Sequence, residues 1–261
     1  MRRLDGLRTK RAGFVGAAGD PIQSIFGSNL AVYWSAQDSL LTAGTEVRFL
    51  PSRIAPTTIT LAPAISTARP QYIASDPVFA GKPSVKCIPT QLLSNVAMPA
   101  GLLPAGCHPT IWMVGCVDAF PSGGGDYVLM GLRQSVDWDC ALRQVDEVGS
   151  RFSLRFVNNH GNSDSLGPNS TTMLTTPFVI ASLLWDYDDS ELWMNKVSYD
   201  PVGSGGSATP GDVVAVALNS NALKLQSGYT RIALAGICTE TPTPQQLAAL
   251  WDYAHANYGV P

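Results

Sequence analysis

The stretch Arg231–Gly259, RIALAGICTETPTPQQLAALWDYAHANYG, holds the transition that decides the fold. Arg231 to Cys238 is short and mostly apolar, as a buried strand should be. Thr243-Pro244-Gln245-Gln246 then supplies an N-cap hydroxyl, proline at N1 and glutamine at N3, a capping box. Leu247, Leu250, Trp251 and Ala254 recur at helical spacing, and Gly259 ends the helix. This is the one helix that the sequence predicts.

Everything upstream reads as strands and turns. Leu30–Trp34, Ser84–Ile88 and Thr110–Val117 (TIWMVGCV) are apolar runs bounded by turn residues. Tyr127–Leu132 follows the flexible Ser122-Gly123-Gly124-Gly125-Asp126 turn, and Arg151–Val157 (RFSLRFV) alternates polar with apolar residues. The polar segment Asn158–Ser170 is expected to be a loop. Pro177–Trp185 and Glu191–Tyr199 flank Asp186–Ser190 as a hairpin, and Val213–Leu218 adds another strand. About ten strands and one terminal helix predict an all-β fold: a two-sheet antiparallel jelly-roll β-sandwich with a C-terminal α-helix. Residues 1–29 form a basic, extended N-terminal arm in this reading, and residues 30–261 the domain.

Composition agrees with that class. In 261 residues, serine and threonine (23 and 18) outnumber basic and acidic residues (17 and 20), and 24 glycines and 19 prolines supply turns. Hydroxyls and turns must therefore build much of the surface, which suits a β-rich protein working outside a cell. The longest apolar stretch, Pro177–Trp185, is about half the roughly 20 residues a membrane helix needs. Ala12–Gly19 is too short and glycine-rich for a signal-peptide core, so no signal peptide is expected.

Charge is segregated. Arg2, Arg3, Arg8, Lys10 and Arg11 face Asp5 alone in the first eleven residues, whereas the whole chain carries −3. Such an arm can dock on an acidic partner surface.

No constellation assembles a reaction. Cys87, Cys107, Cys116, Cys140 and Cys238 are odd in number, and without a C-x-x-C pair they fit neither a disulfide framework nor zinc. Cys116 and Cys238 read as core thiols. Asn158, Asn159, Asn162 and Asp164 offer one charge among four oxygen donors, so no metal is expected. Asp186, Asp188 and Glu191 approximate the paired carboxylates of a glycosidase strand, but they sit where a turn is expected. His108, His160 and His255 are the only histidines, and no G-x-S-x-G precedes a helix. Trp138, flanked by Asp137 and Asp139, is the tryptophan best placed at the surface to meet a glycan or another subunit. His160 and Asp164, in the polar segment, join it as contact candidates. Trp112, Trp185, Trp193 and Trp251 read as core.

Several segments resemble concanavalin A-like (laminin-G-like) jelly-roll domains of phage and bacterial surface proteins. Trp34-Ser35-Ala36-Gln37-Asp38 resembles their W-x-A-x-D opening, Ala68-Arg69-Pro70-Gln71-Tyr72 an RP-x-Y segment, and Gly81-Lys82-Pro83-Ser84-Val85 the next strand entry. Phe178–Asp186 with Glu191–Val197 resembles a hairpin ending in Asn-Gly, although Lys196 follows Asn195 here. Ile232–Gly259, with Tyr253, Tyr258 and Gly259, resembles the closing strand and helix. The resemblance implies two packed antiparallel sheets, one curved, with ligands on the concave face or the rim loops.

The expected function is that of a virion structural protein of a tailed phage, a capsid decoration or a head or tail appendage, and not of an enzyme. It would dock through the arm onto other virion subunits as a homo-oligomer. It would be made in the host cytoplasm and carried on the particle exterior. No cofactor, membrane or nucleic-acid partner is expected, and a surface glycan is a further partner. The alternatives are a glycan-binding adhesion module and a glycoside hydrolase acting through Asp186, Asp188 or Glu191.

Overall fold

The structure is a computed structural model. It describes residues 19–42, 44–53, 59–63, 68–103, 107, 109–119, 126–134, 139–145, 151–158, 161–183, 191–199, 201–202, 213–219 and 228–261. In chain order the elements are α1 (Pro21–Phe26), β1 (Leu30–Ser35), β2 (Leu40–Leu41), β3 (Val47–Pro51), β4 (Thr60–Pro63), β5 (Gln71–Asp76) and β6 (Lys82–Cys87). There follow β7 (Leu93–Asn95), β8 (Thr110–Val117), β9 (Asp126–Gln134), β10 (Asp139–Val145), β11 (Arg151–Asn158) and β12 (Gly161–Asn169). The chain closes with β13 (Phe178–Leu183), β14 (Glu191–Met194), β15 (Val197–Tyr199), β16 (Pro201–Val202), β17 (Val213–Leu218), β18 (Thr230–Cys238) and α2 (Pro244–Tyr258).

The strands form two antiparallel sheets. An eight-stranded sheet runs β15-β14-β13-β8-β18-β6-β5, with β1 also on β18, and a ten-stranded sheet runs β16-β12-β11-β10-β9-β17-β7-β4-β3-β2. One hydrophobic cluster, including Trp34, Ile111, Met113, Phe152, Phe178 and Ile237, lies between the sheets. The rings of Phe152 and Phe178 meet there at 4.9 Å, one from each sheet. A second cluster, with Tyr33, Trp112, Val114, Ala233, Leu247, Leu250 and Ala254, lies on the opposite face of the eight-stranded sheet and is covered by α1 and α2. Burial on both faces explains why TIWMVGCV shows no alternation: all eight β8 residues are buried.

The central strand β18 carries two partners along one edge. Thr230–Ile232 pairs with β6, and Leu234–Cys238 with β1. On its other edge the β8 register shifts between Ile232 and Leu234. This bulge lets Ala233 and Leu234 both join the helix-side cluster while Ile232 and Ala235 stay between the sheets.

The two-sheet sandwich and the C-terminal helix agree with the sequence reading. Thr243 accepts from the Gln246 amide at 3.2 Å while Gln246 Oε1 accepts from the Thr243 amide at 2.9 Å, completing the capping box. Gly259 closes α2 at φ 67°, the left-handed conformation glycine adopts without strain.

Two local expectations change. Asn158–Ser170 is not a loop, because Gly161–Asn169 forms β12 between β11 and β16. Ladder pairing uses the backbone, so a strand toward the sheet edge needs no apolar signature. Within the arm, Pro21–Phe26 is helical where extended chain was expected. Asp20 caps that helix, accepting from Ile22 and Gln23, and Ile22 and Phe26 are buried against the body.

Candidate functional site

On the covered sheet the helix-side cluster reaches Cys116 of β8 and Ala233 of β18. Toward the next end of these strands the same face changes chemistry. Arg231 lies in register between Lys86 of β6 and Cys116 of β8. Tyr229, Ile88 and Asp118 stand at this edge, one position beyond the ends of β18, β6 and β8. Tyr229 and Ile88 are 37% and 43% exposed. The Asp118 amide donates to the Tyr229 carbonyl at 3.0 Å, extending the β8–β18 ladder to this edge.

Tyr127 reaches across from the second sheet, its ring 6.2 Å from that of Tyr229 in an edge arrangement. Its ring lies on the backbone of Gly228, where a Cβ would stand 2.5 Å from the tyrosine Cγ, so only glycine fits. Asn219 fixes this corner. Its carboxamide donates to the Gln91 and Gly228 carbonyls and accepts from the Gly228 amide and the Thr230 hydroxyl.

Next to Tyr229, whose carbonyl accepts from the Asp118 amide, runs a chain of charges. Arg231 Nε stands 2.8 Å from Asp118 Oδ1, and its Nη1 stands 3.0 Å from Asp76 Oδ1. Lys86 Nζ is 3.3 Å from Asp118 Oδ2. Asp76 is fully buried and also accepts from the Val78 amide at 3.0 Å and the Ser84 hydroxyl at 2.5 Å. Burial alone would lower the Arg231 pKa, but its hydrogen bond to Asp118 and the charges of Asp118 and Asp76 hold it raised. Burial, reinforced by the Asp118 charge, pushes the neighbouring Cys116 thiol up to about 12, so it is protonated at neutral pH. Burial and then Tyr229 raise the Tyr127 phenol.

This ledge offers an exposed aromatic ring beside a partly accessible carboxylate, ammonium and guanidinium. Aromatic faces receive the apolar side of a sugar ring, and such charged heads bind hydroxyls. None of Tyr127, Tyr229, Asp118, Lys86 or Arg231 was singled out in the sequence reading. The one available signal was Arg231, a charge opening an otherwise apolar strand.

The sequence candidates fare differently. Arg2, Arg3, Arg8, Lys10, Arg11, Trp138 and His160 lie outside the described residues, as do His108, Asp186 and Asp188. Asp164 lies in β12, in register with Arg155 of β11 and Val202 of β16. Glu191 opens β14 and accepts the Ser198 hydroxyl at 2.6 Å. Cys87, Cys116, Cys140 and Cys238 are buried, and Cys107 is half-buried. Trp112 and Trp193 are core residues, whereas Trp251 is only half-buried. Lys196 Nζ lies 3.6 Å above the Trp251 ring, and His255 stacks on it at 4.7 Å.

No family model matches the chain, and no curated protein matches its sequence. Solved structures do share its fold. A Trypanosoma rangeli sialidase in complex with sialic acid superposes with a TM-score of 0.54 at 11% identity, over 85% of this chain and 32% of that one. The binding domain of botulinum neurotoxin serotype D gives 0.59 at 7% identity, over 89% of this chain and 52% of that one. The binding domain of Paraclostridial Mosquitocidal Protein 1 gives 0.57 at 10% identity, over 89% and 55%. The chain thus spans about a third of the sialidase and about half of each toxin domain.

These likenesses correct one expectation. The chain was read as not an enzyme, yet the architecture recurs in sialidases, which are enzymes. A β-sandwich without a recognisable motif therefore gives no ground for setting this chain apart from catalytic proteins. Among the described residues no helix is long and apolar enough to cross a membrane.

Proposed function

We propose that this chain is a glycan-binding β-sandwich module that engages surface polysaccharide through the ledge at Tyr229. The observation that carries this reading is the exposed Tyr229 ring beside the Asp118–Lys86–Arg231 network, on a face otherwise roofed by helices. The fold likeness to a sialidase solved with sialic acid and to toxin binding domains supports it by analogy of architecture. A glycan array probed with the multimerised chain tests it, since multivalency amplifies weak single-site affinity. Binding that falls at least about ten-fold in Tyr229→Ala, with the fold intact, is the expected result; one lost contact of about 1.4 kcal/mol suffices. No binding above background would overturn the reading.

The charge segregation of residues 1–11 favours a second role for the same molecule. The basic arm suits docking on other subunits of a phage particle, which would place the glycan-binding domain on the virion exterior. Deleting residues 1–18 is then expected to abolish incorporation into particles while leaving glycan binding intact. Unchanged incorporation would remove this role.

A further inference from the structure

We infer that the ledge selects an uncharged sugar with vicinal hydroxyls over a carboxylate-bearing sugar. The inference rests on the proposed glycan-binding reading and names the ligand class of that site.

The charges on the ledge already answer one another. Two carboxylates, Asp76 and Asp118, face two cations, Lys86 and Arg231, all within ion-pair distance. An acidic sugar is gripped most specifically by a guanidinium that offers two parallel N–H groups to its carboxylate. Arg231 has committed Nε to Asp118 and Nη1 to Asp76. The Nε–Nη2 edge has therefore lost its single Nε–H, and one of the two N–H groups on Nη1 is also taken. An incoming carboxylate would also stand beside Asp118, whose side chain is 13% exposed at the surface it must approach. Like charges juxtaposed in this way oppose binding.

A vicinal diol meets the same groups without conflict. Each hydroxyl both donates and accepts. Lys86, 33% exposed, has three donors and pairs with Asp118, and Asp118 is an acceptor. One hydroxyl can accept from Lys86 while its neighbour donates to Asp118, and Tyr229 lies alongside for the apolar ring face. The neutral network thus matches a neutral ligand that is itself donor and acceptor.

Matched probes in which a carboxylate replaces the hydroxymethyl group test this: glucose against glucuronate and galactose against galacturonate, titrated onto the full chain by NMR. The expected result is at least ten-fold tighter binding of the neutral member of a pair, about 1.4 kcal/mol. Asp118→Asn should narrow that ratio, because the substitution removes the repelling charge and keeps the side-chain shape. Tighter binding of the acidic members would overturn the inference and leave the glycan-binding reading standing. Binding of neither class, with an array that is also blank, would overturn both.

Discussion

The indole of Trp112 lies directly on the backbone of Gly236, its cross-strand partner. A Cβ at Gly236 would stand 2.3 Å from Trp112 Cζ2. Trp112 also stacks with Phe26 of α1 at 5.5 Å and with Tyr33 of β1 at 6.4 Å. The glycine thus sets the depth at which this aromatic stack, and the N-terminal helix over it, can sit. Gly236→Ala is expected to destabilise the chain by about 1–3 kcal/mol, the usual penalty for overpacking a filled core. Urea denaturation followed by tryptophan fluorescence checks it, and an unchanged midpoint would show that the stack yields easily.

Lys196 tells a related story at a turn. Asn195 and Lys196 adopt φ 47° and 71° between β14 and β15, a turn where Asn-Gly is the favoured pair. Lysine tolerates the strain while its ammonium lies 3.6 Å over Trp251 and 3.3 Å from Asp252, pinning the turn to α2. Replacing it separates the two effects. Lys196→Gly relieves strain and loses the contacts, so it should fall within about 0.5 kcal/mol of the parent, given cation–π energies of about 0.5–1 kcal/mol. Lys196→Ala keeps the strain and loses the contacts, so it should be the less stable of the two. The reverse order in thermal or urea melts would refute this account.

Asp76 anchors the ledge from below. Asp76→Ala would leave the Arg231 guanidinium, the Val78 amide and the Ser84 hydroxyl without this acceptor. Breaking one side of a buried ion pair costs about 3–5 kcal/mol. A loss of that size is expected in chemical denaturation, and the milder double variant Asp76→Leu/Arg231→Met should recover part of it. If the single and double variants are equally unstable, the uncompensated charge is not the cause.

Alkaline pH should also weaken the fold. Burial pushes the Cys87 and Cys116 thiols up to about 12, against an ordinary value near 9. Below about pH 9 both folded and unfolded chains hold these protons. Between about 9 and 12 the unfolded chain releases them and the folded chain does not, so stability falls as pH rises, by at most about 1.4 kcal/mol per pH unit per thiol. Cys87→Val removes one titrating group and retains apolar packing. Its stability should decline less steeply than the parent's between pH 8 and 10.5; equal slopes would rule out the Cys87 contribution.

How much of this was legible along the chain varies with burial. Thr110–Val117 and Val213–Leu218 were read at their observed bounds, because strands covered on both faces announce themselves as unbroken apolar runs. Gly161–Asn169 was missed because its pairing is a backbone matter and its side chains carry no period. Trp251 was read as core from its helical spacing, which gives a direction around the axis but not what stands above it. There it meets the ammonium of Lys196, 55 positions earlier.

The sequence by itself determined the class of the fold: strands from local apolar runs, turns from glycine and proline, and the terminal helix from its capping box and stripe. These are signals between residues a few positions apart, and they survive without a tertiary structure. The ledge is of another kind. Asp76, Lys86, Asp118, Tyr127, Tyr229 and Arg231 are dispersed along the chain, and they meet because β18 pairs with β6 on one edge and β8 on the other, β5 follows on β6, and the second sheet brings β9 across. Only the tertiary structure could decide that Arg231 meets two carboxylates, or that the helical layer ends where the polar residues begin. Strand pairing is set by the packing of the whole sandwich, and no window of sequence contains it.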